Sequence, residues 1–140
     1  SMARFDVPGM AVAVVQDDKV VFARGFGTSN LNTNAKVNKD TLFGIASNTK
    51  AFTSAALAKL VDEGKLSWDD RVIDHLPEFR LYDSYVTREM RVRDLLSHRS
   101  GLGLGQGDLM IWPSTDKSIE AILAGLQYLK PASSFRSQYA

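Results

Sequence analysis

Two apolar segments joined by a short polar turn open the chain and constrain its fold more than any other feature. Residues 10–15 are almost wholly apolar, residues 16–19 have the composition of a turn, and residues 20–23 are apolar again. This pattern predicts a β-hairpin. Because the apolar residues are continuous rather than alternating, we expect both faces of the hairpin to be covered by other elements. A lone hairpin would leave long apolar edges unpaired, which soluble proteins avoid.

The composition is that of an ordinary globular domain. The 140 residues are 44% hydrophobic and 24% charged, with 17 basic and 16 acidic side chains and a formal charge of +1. No block of like charge interrupts this balance, which argues against nucleic acid as a partner. The chain has no cysteine. Disulfides, thiol catalysis and cysteine-ligated metals are therefore excluded.

Irregular and helical segments are expected after the hairpin. Gly25, Gly27 and the polar run at 28–40, which holds four asparagines, predict a loop or an irregular edge. A helix with an apolar composition follows Ser47 and ends at Gly64, and we expect it to be buried on most sides. The later expectations are a connector with short helical pieces at 67–79, an amphipathic helix at 91–98 with Val92, Leu95 and Leu96 as its apolar stripe, a flexible glycine-rich loop at 101–107, and a helix at 118–130.

The tetrapeptide Ser47-Asn48-Thr49-Lys50 suggests a chemistry. A serine and a lysine three residues apart at the start of a helix share one face, so the amine can reach the hydroxyl. A hydroxyl next to a general base is an activated nucleophile. A lysine in the first turn of a largely buried helix is poorly placed for the macrodipole and partly desolvated, and both effects favour the neutral amine. The spacing alone also allows Ser47 to cap the helix while Lys50 extends into water.

Three other features are interpreted as structural. Ser114-Thr115-Asp116-Lys117 repeats the Ser-x-x-Lys spacing, but it precedes a helix, where Ser114 is an ordinary cap and Lys117 an ordinary surface charge. The glycines at 101–107 lack the following Lys-Ser/Thr pair of a phosphate loop. His75 and His98 have no metal-ligand spacing around them.

Four ordered blocks resemble the serine β-lactamase and penicillin-binding-protein superfamily, within the branch that contains class C β-lactamases, DD-peptidases and related esterases. The second block holds Ser47 and Lys50, and together the blocks extend over nearly the whole chain. They are Val-Pro-Gly-Met-Ala-Val-Ala-Val at 7–14, Phe-Gly-Ile-Ala-Ser-Asn-Thr-Lys at 43–50, Glu-Gly-Lys-Leu-Ser-Trp-Asp-Asp at 63–70 and Val-Arg-Asp-Leu-Leu-Ser-His-Arg-Ser-Gly-Leu at 92–102.

The resemblance implies an α+β fold, an α/β sandwich, of which residues 1–140 form the N-terminal portion. It implies that Ser47 is the acylated nucleophile and that Lys50 takes part in its deprotonation, with the backbone N–H of Ser47 as one oxyanion donor. The substrate would be a small molecule or peptide with an ester, amide or β-lactam carbonyl. No cofactor and no metal is implied, and a periplasmic or other extracytoplasmic location is favoured.

Two parts of the family pattern are incomplete. The second motif of the family is Tyr-x-Asn, and related sequences resemble the segment from Phe135 to Tyr139, so that Tyr139 lies two places before the motif tyrosine or, in another alignment, is that tyrosine. The third motif, a Lys-Thr-Gly or His-x-Gly-like triplet, does not follow Lys50. We therefore expect a portion of a larger hydrolase whose sheet is completed by missing C-terminal sequence or by another chain. Alone it would be inactive.

Two functions remain open at this point. The first is a serine hydrolase, in which Arg99 and the glycine-rich loop favour an esterase or peptidase over a dedicated β-lactamase. The second is a non-catalytic ligand-binding or sensor module of the same fold.

Overall fold

The computed structural model describes residues 2–112 and 116–140. These residues form two compact units, of which the first ends at Ala46 and the second begins at Ser47. The first unit contains the sheet and the second contains the longer helices. No helix among the described residues is long and apolar enough to cross a membrane.

A three-stranded antiparallel sheet makes up most of the first unit. Its strands are β1 (Gly9–Gln16), β2 (Lys19–Asn30) and β3 (Ala35–Lys36), in the order β1-β2-β3. Asp17 and Asp18 connect β1 to β2 with φ angles of 49° and 58°. Positive φ at both central residues is the conformation of the tight hairpin turns that match strand twist. The predicted hairpin is confirmed.

The second strand is longer than the sequence predicts. Residues 25–30 continue β2, although the two glycines and the polar residues after them predict a loop or irregular edge. The reason is pairing on both sides: Gly27 lies opposite Gly9 of β1, and Thr28 pairs with Lys36 of β3. A Cβ atom on Gly25 would lie 2.4 Å from the carbonyl oxygen of Val37. Glycine is required there by the close approach of another backbone segment.

The apolar side chains of the hairpin are mostly exposed. Val20 is 65% exposed, and Val14, Val15, Val21 and Phe22 are exposed as well. Val37 is the buried hydrophobic residue among the described residues of this unit. The expectation that both faces of the hairpin are covered is therefore not met by the described residues.

Helix α1 (Thr49–Asp62) follows a 3₁₀ turn at Ala46–Asn48. It ends as predicted, with Gly64 at φ 67° and its N–H bonded to the carbonyl of Val61. None of its residues is buried, and Phe52 is 68% exposed. The prediction of a helix buried on most sides is wrong for the described chain. An apolar composition favours burial, but burial also requires an element that packs against the helix.

Among the described residues, four shorter helices and a small core complete the second unit. The core consists of Val72, Phe79 and Met90, with half-buried hydrophobic residues around them. Met90 and Val72 also pair through their backbones, by a hydrogen bond of 2.9 Å from the N–H of Val72 to the carbonyl of Met90. The helices are α2 (Val72–His75), α3 (Ser84–Glu89), α4 (Val92–Leu95) and α5 (Ile119–Gly125), the last continued by a 3₁₀ turn at Leu126–Tyr128.

The predicted elements of this unit are found with corrections, and the helix predicted at 118–130 ends at Gly125 before its 3₁₀ turn. Helix α3 lies in a stretch where no helix was predicted, and the Asp83 carboxylate caps it by accepting from the N–H groups of Tyr85 and Val86. Helix α4 ends at Leu95 rather than at position 98. Its apolar stripe was assigned wrongly in part, because Leu95 is exposed while Asp94 is buried. A carboxylate can occupy such a buried position when cations and N–H groups surround it.

Candidate active site

The structure brings Ser47 and Lys50 together. The Nζ atom of Lys50 donates a hydrogen bond of 2.9 Å to the Oγ atom of Ser47. Ser47 lies in the 3₁₀ turn that precedes α1, and Lys50 lies in the first turn of the helix, so the two side chains meet on one face. Both residues are exposed, so the expected partial desolvation of Lys50 is not found in the described chain. A molecule in solution can reach the pair.

The alternative role of Ser47 as a helix cap is not observed. Asn48 holds the N-cap position of α1, and it makes no side-chain capping hydrogen bond. Among the described residues, the hydrogen bond of the Ser47 hydroxyl is the one to Lys50. The serine side chain therefore points to the amine rather than back to the helix N–H groups.

The residue before the serine has an unusual backbone conformation. Ala46 has a φ of 45°, in the left-handed region that non-glycine residues rarely adopt. A conformation of this kind costs about 1–3 kcal/mol and persists where the surrounding structure fixes it. Ala46 is the first residue of the 3₁₀ turn that contains Ser47.

The pair can carry out base-assisted nucleophilic chemistry. A neutral lysine amine within hydrogen-bond distance of a hydroxyl can take up its proton as the oxygen attacks an electrophile. A charged amine at the same distance donates to the oxygen and orients it. The geometry of 2.9 Å suits both functions.

The contact that the structure shows for the Tyr139 ring is with His98. Its ring is tilted against the imidazole of His98, with the ring centroids 5.0 Å apart, and it is 78% exposed. Among the described residues, no hydrogen bond joins Tyr139 to Ser47 or to Lys50. The role of Tyr139 in the second motif stays a prediction.

The buried carboxylate of Asp94 was not singled out from the sequence. The side chain of Asp94 is 0% exposed, and it accepts hydrogen bonds of 3.0 and 2.6 Å from the Nε and Nη2 atoms of Arg136. Burial alone would raise the pKa of Asp94, but the hydrogen bonds from Arg136 and from the N–H of Arg91 outweigh burial, so the pKa lies below its ordinary value. The same pair raises the pKa of Arg136. The contact was not predicted because the two residues are 42 positions apart in the sequence.

The histidines take part in local contacts. The Nε2 atom of His75 lies 2.9 Å from a carboxylate oxygen of Asp70. The pKa of Asp70 is lowered, first by the backbone hydrogen bond from Ser67 and then by His75. Within residues 2–112 and 116–140, no group of three or more His, Cys, Asp and Glu side chains could hold a metal ion. The second Ser-x-x-Lys copy falls partly outside the described residues.

The model of the β-lactamase family matches residues 1–140 of this chain. The chain belongs to the β-lactamase family. The resemblance drawn from the four sequence blocks is confirmed. So is the fold class, because the antiparallel sheet with helices matches the N-terminal portion of the β-lactamase/transpeptidase-like fold.

Relatives and solved structures support this assignment. Protein flp of Staphylococcus aureus is 34% identical over 69% of this chain, which spans 19% of that protein. The unguisins hydrolase ungD' of Aspergillus campestris is 34% identical over 99% of this chain, which spans 27% of it. The octameric penicillin-binding protein homologue from Pyrococcus abyssi is 31% identical, with a TM-score of 0.71, over 96% of this chain and 32% of its own. This chain thus spans less than two thirds of the length of each of these proteins. At the level of the family, it is related to hydrolases.

Proposed function

We propose that this chain carries the nucleophile and the base of a serine hydrolase that works through an acyl-enzyme. The observation that supports the proposal is the 2.9 Å hydrogen bond between Lys50 and Ser47. It joins the two residues to which the resemblance of the sequence blocks assigns the roles of nucleophile and base, and the chain belongs to the β-lactamase family.

The proposed reaction begins with proton transfer from the Ser47 hydroxyl to the neutral amine of Lys50. The serine oxygen attacks the substrate carbonyl and forms a tetrahedral intermediate, whose negative oxygen accepts a hydrogen bond from the Ser47 N–H. The bond to the leaving group then breaks, and the proton held by Lys50 passes to that group. Water attacks the resulting ester of Ser47, which releases the acid and restores the serine hydroxyl.

The substrate class follows from the reaction and is broad. An ester, an amide and a β-lactam all present a carbonyl that a serine oxygen can attack. The relatives differ in what their names describe, one a penicillin-binding protein homologue and another a hydrolase of unguisins. We propose a small-molecule or peptide substrate processed outside the cytoplasm by an esterase-like or peptidase-like member.

We also propose that the exposed apolar surfaces of the hairpin and of α1 are covered in the full-length protein. Val20 and Phe52 are both about two thirds exposed, at 65% and 68%. Contiguous exposed apolar patches mark interaction surfaces. Further sequence or another chain would complete the sheet, and residues 1–140 alone would be inactive.

Intact-mass measurement of the full-length protein tests the proposed chemistry. Incubation with a fluorophosphonate and with a penicillin should add one reagent-derived group, and peptide mapping should place it on Ser47. Ser47→Ala should abolish the adduct, whereas Ser54→Ala on the same helix should leave it unchanged. Absence of any adduct on the natural protein would refute the proposal. A stable adduct without turnover of a chromogenic ester or cephalosporin would identify a ligand-binding or sensor module instead.

A further inference from the structure

The arginine side chains of the second unit differ in whether a carboxylate neutralises them. Five of them form ion pairs with an aspartate, and these five are Arg71, Arg91, Arg93, Arg99 and Arg136. The remaining two arginines of this unit are Arg80 and Arg88. Among the residues that the structure describes, these two form no ion pair. Two positive charges therefore have no carboxylate partner in the described chain.

The two unpaired arginines line the same cleft. Its volume is about 350 Å³, which lies within the range of about 300–1,000 Å³ for pockets that bind small molecules. Tyr82 and Ser84, each with a hydroxyl that can donate a hydrogen bond, line the cleft as well. No aspartate or glutamate is among the described residues that line it. The cleft thus combines two cations with neutral donors and has no acid to oppose them.

The cleft also has an apolar part. Ile73 and Leu81 line it, and both are partly buried against the core of the second unit. Pockets of this kind contact the body of a small molecule through apolar side chains and orient it by a few polar groups. The lining therefore suits a ligand with an anionic group and an apolar body better than a bare ion.

Backbone carbonyl groups hold the Arg80 guanidinium in place. Its Nη1 atom donates hydrogen bonds of 2.7 Å to the carbonyl oxygens of Pro77 and Phe79. Within the described chain, no group accepts a hydrogen bond from its Nε or Nη2 atom. A guanidinium that is already fixed loses less conformational entropy when it binds a ligand.

Arg88 lies in the last turn of α3 and is exposed. In the part of the chain that the structure describes, its guanidinium makes no hydrogen bond. Asp83, the acid just before this helix, does not neutralise it, because the Asp83 carboxylate accepts hydrogen bonds from the N–H groups of Tyr85 and Val86. The N–H donors of the Arg88 guanidinium are therefore available to a ligand.

We propose that the cleft lined by Arg80 and Arg88 binds a small molecule through a carboxylate or phosphate group. A planar guanidinium presents parallel N–H groups that match two oxygen atoms of either group. The two arginines supply the opposite charge, and the apolar residues of the cleft contact the rest of the ligand. The inference does not depend on the reaction proposed for Ser47.

Binding is tested by NMR on the full-length protein with isotope-labelled arginine. The probes are phenyl phosphate, benzoate and benzyl alcohol, which share a phenyl ring and differ in charge. The Nε–H signals of Arg80 and Arg88 are assigned by their loss in Arg80→Lys and Arg88→Gln. Both signals should move with at least one of the two anions and stay in place with benzyl alcohol. Either order of affinity between the two anions supports the inference, and the order identifies the group that the cleft prefers.

Arg88→Gln should weaken binding of the preferred anion about 10- to 100-fold, because it replaces a charged donor by a neutral side chain. Arg93→Gln is the matched control, since Arg93 is also an exposed arginine but pairs with Asp69 at 2.7 Å and does not line the cleft. It should bind the anion as the natural protein does, and circular dichroism checks that both variants are folded. The inference is overturned if neither anion moves the two signals, if benzyl alcohol moves them equally, or if Arg88→Gln binds as tightly as the natural protein.

Discussion

Replacement of Lys50 by methionine tests the proposed base directly. Methionine keeps a long unbranched side chain but has no amine, so the helix is preserved while the 2.9 Å hydrogen bond to Ser47 is lost. No other side chain among the described residues makes a hydrogen bond to the Ser47 hydroxyl. The whole contribution of the base should therefore be removed by this one change.

The expected loss is that of a general base. Such groups contribute about 10²- to 10⁴-fold, which corresponds to about 3–5 kcal/mol in the activation free energy. The rate of fluorophosphonate labelling at Ser47 should fall by this factor in Lys50→Met. The fall should be largest near neutral pH and smaller at high pH, where hydroxide in solution can replace the base.

Lys59→Met is the control for this measurement. Lys59 lies on the same helix, and its ion pair of 2.9 Å with Glu63 is distant from Ser47 in sequence and exposed. An exposed pair of this kind contributes little to stability. We therefore expect Lys59→Met to label at the natural rate. Labelling of Lys50→Met within about threefold of the natural rate, at all pH values, would refute the assignment of Lys50 as base.

Two further predictions concern stability and are checked by urea unfolding. Met90→Ala removes a side chain that is almost fully buried in the core of the second unit, and it should lower the free energy of unfolding by about 2–5 kcal/mol. Leu104→Ala, at an exposed position, should change the free energy of unfolding by less than about 0.5 kcal/mol. Equal effects of the two substitutions would contradict the assigned core. Because the pKa of Asp94 is lower in the folded protein than in the unfolded chain, its stabilising contribution is present above the unfolded pKa and is lost as the pH falls through the lowered folded pKa. Below about pH 4 the natural protein should lose stability more steeply than Asp94→Asn, and parallel pH profiles would contradict this.

Patterns local in sequence predicted the regular elements well. The apolar runs predicted the hairpin, Gly64 predicted the end of α1, and apolar residues at helical spacing predicted a helix from position 118, where the Ser118 hydroxyl accepts from the N–H of Ala121. Each of these depends on residues within a few positions of one another. The spacing of Ser47 and Lys50 likewise predicted that the two side chains share one face of the helix, but it left open whether the Ser47 hydroxyl bonds to Lys50 or caps the helix.

Contacts between distant residues were the part that the sequence did not reveal. Gly25 and Gly27 were assigned to a loop or an irregular edge, yet both lie within β2, and the approach of Val37 makes glycine necessary at position 25. Leu95 was assigned to the buried face of α4 on its apolarity, although Asp94 holds the buried position. In both cases a partner far along the chain decided the outcome.

The sequence by itself determined the family, the hairpin and the serine–lysine pair, since these follow from short-range geometry and from motifs in a fixed order. The tertiary structure alone decided that the Ser47 hydroxyl bonds to Lys50 rather than capping the helix, and that Asp94 is buried against Arg136. The physical reason is that a hydroxyl has several local partners of similar energy. A buried charge is tolerated only where a partner, here 42 residues away, neutralises it.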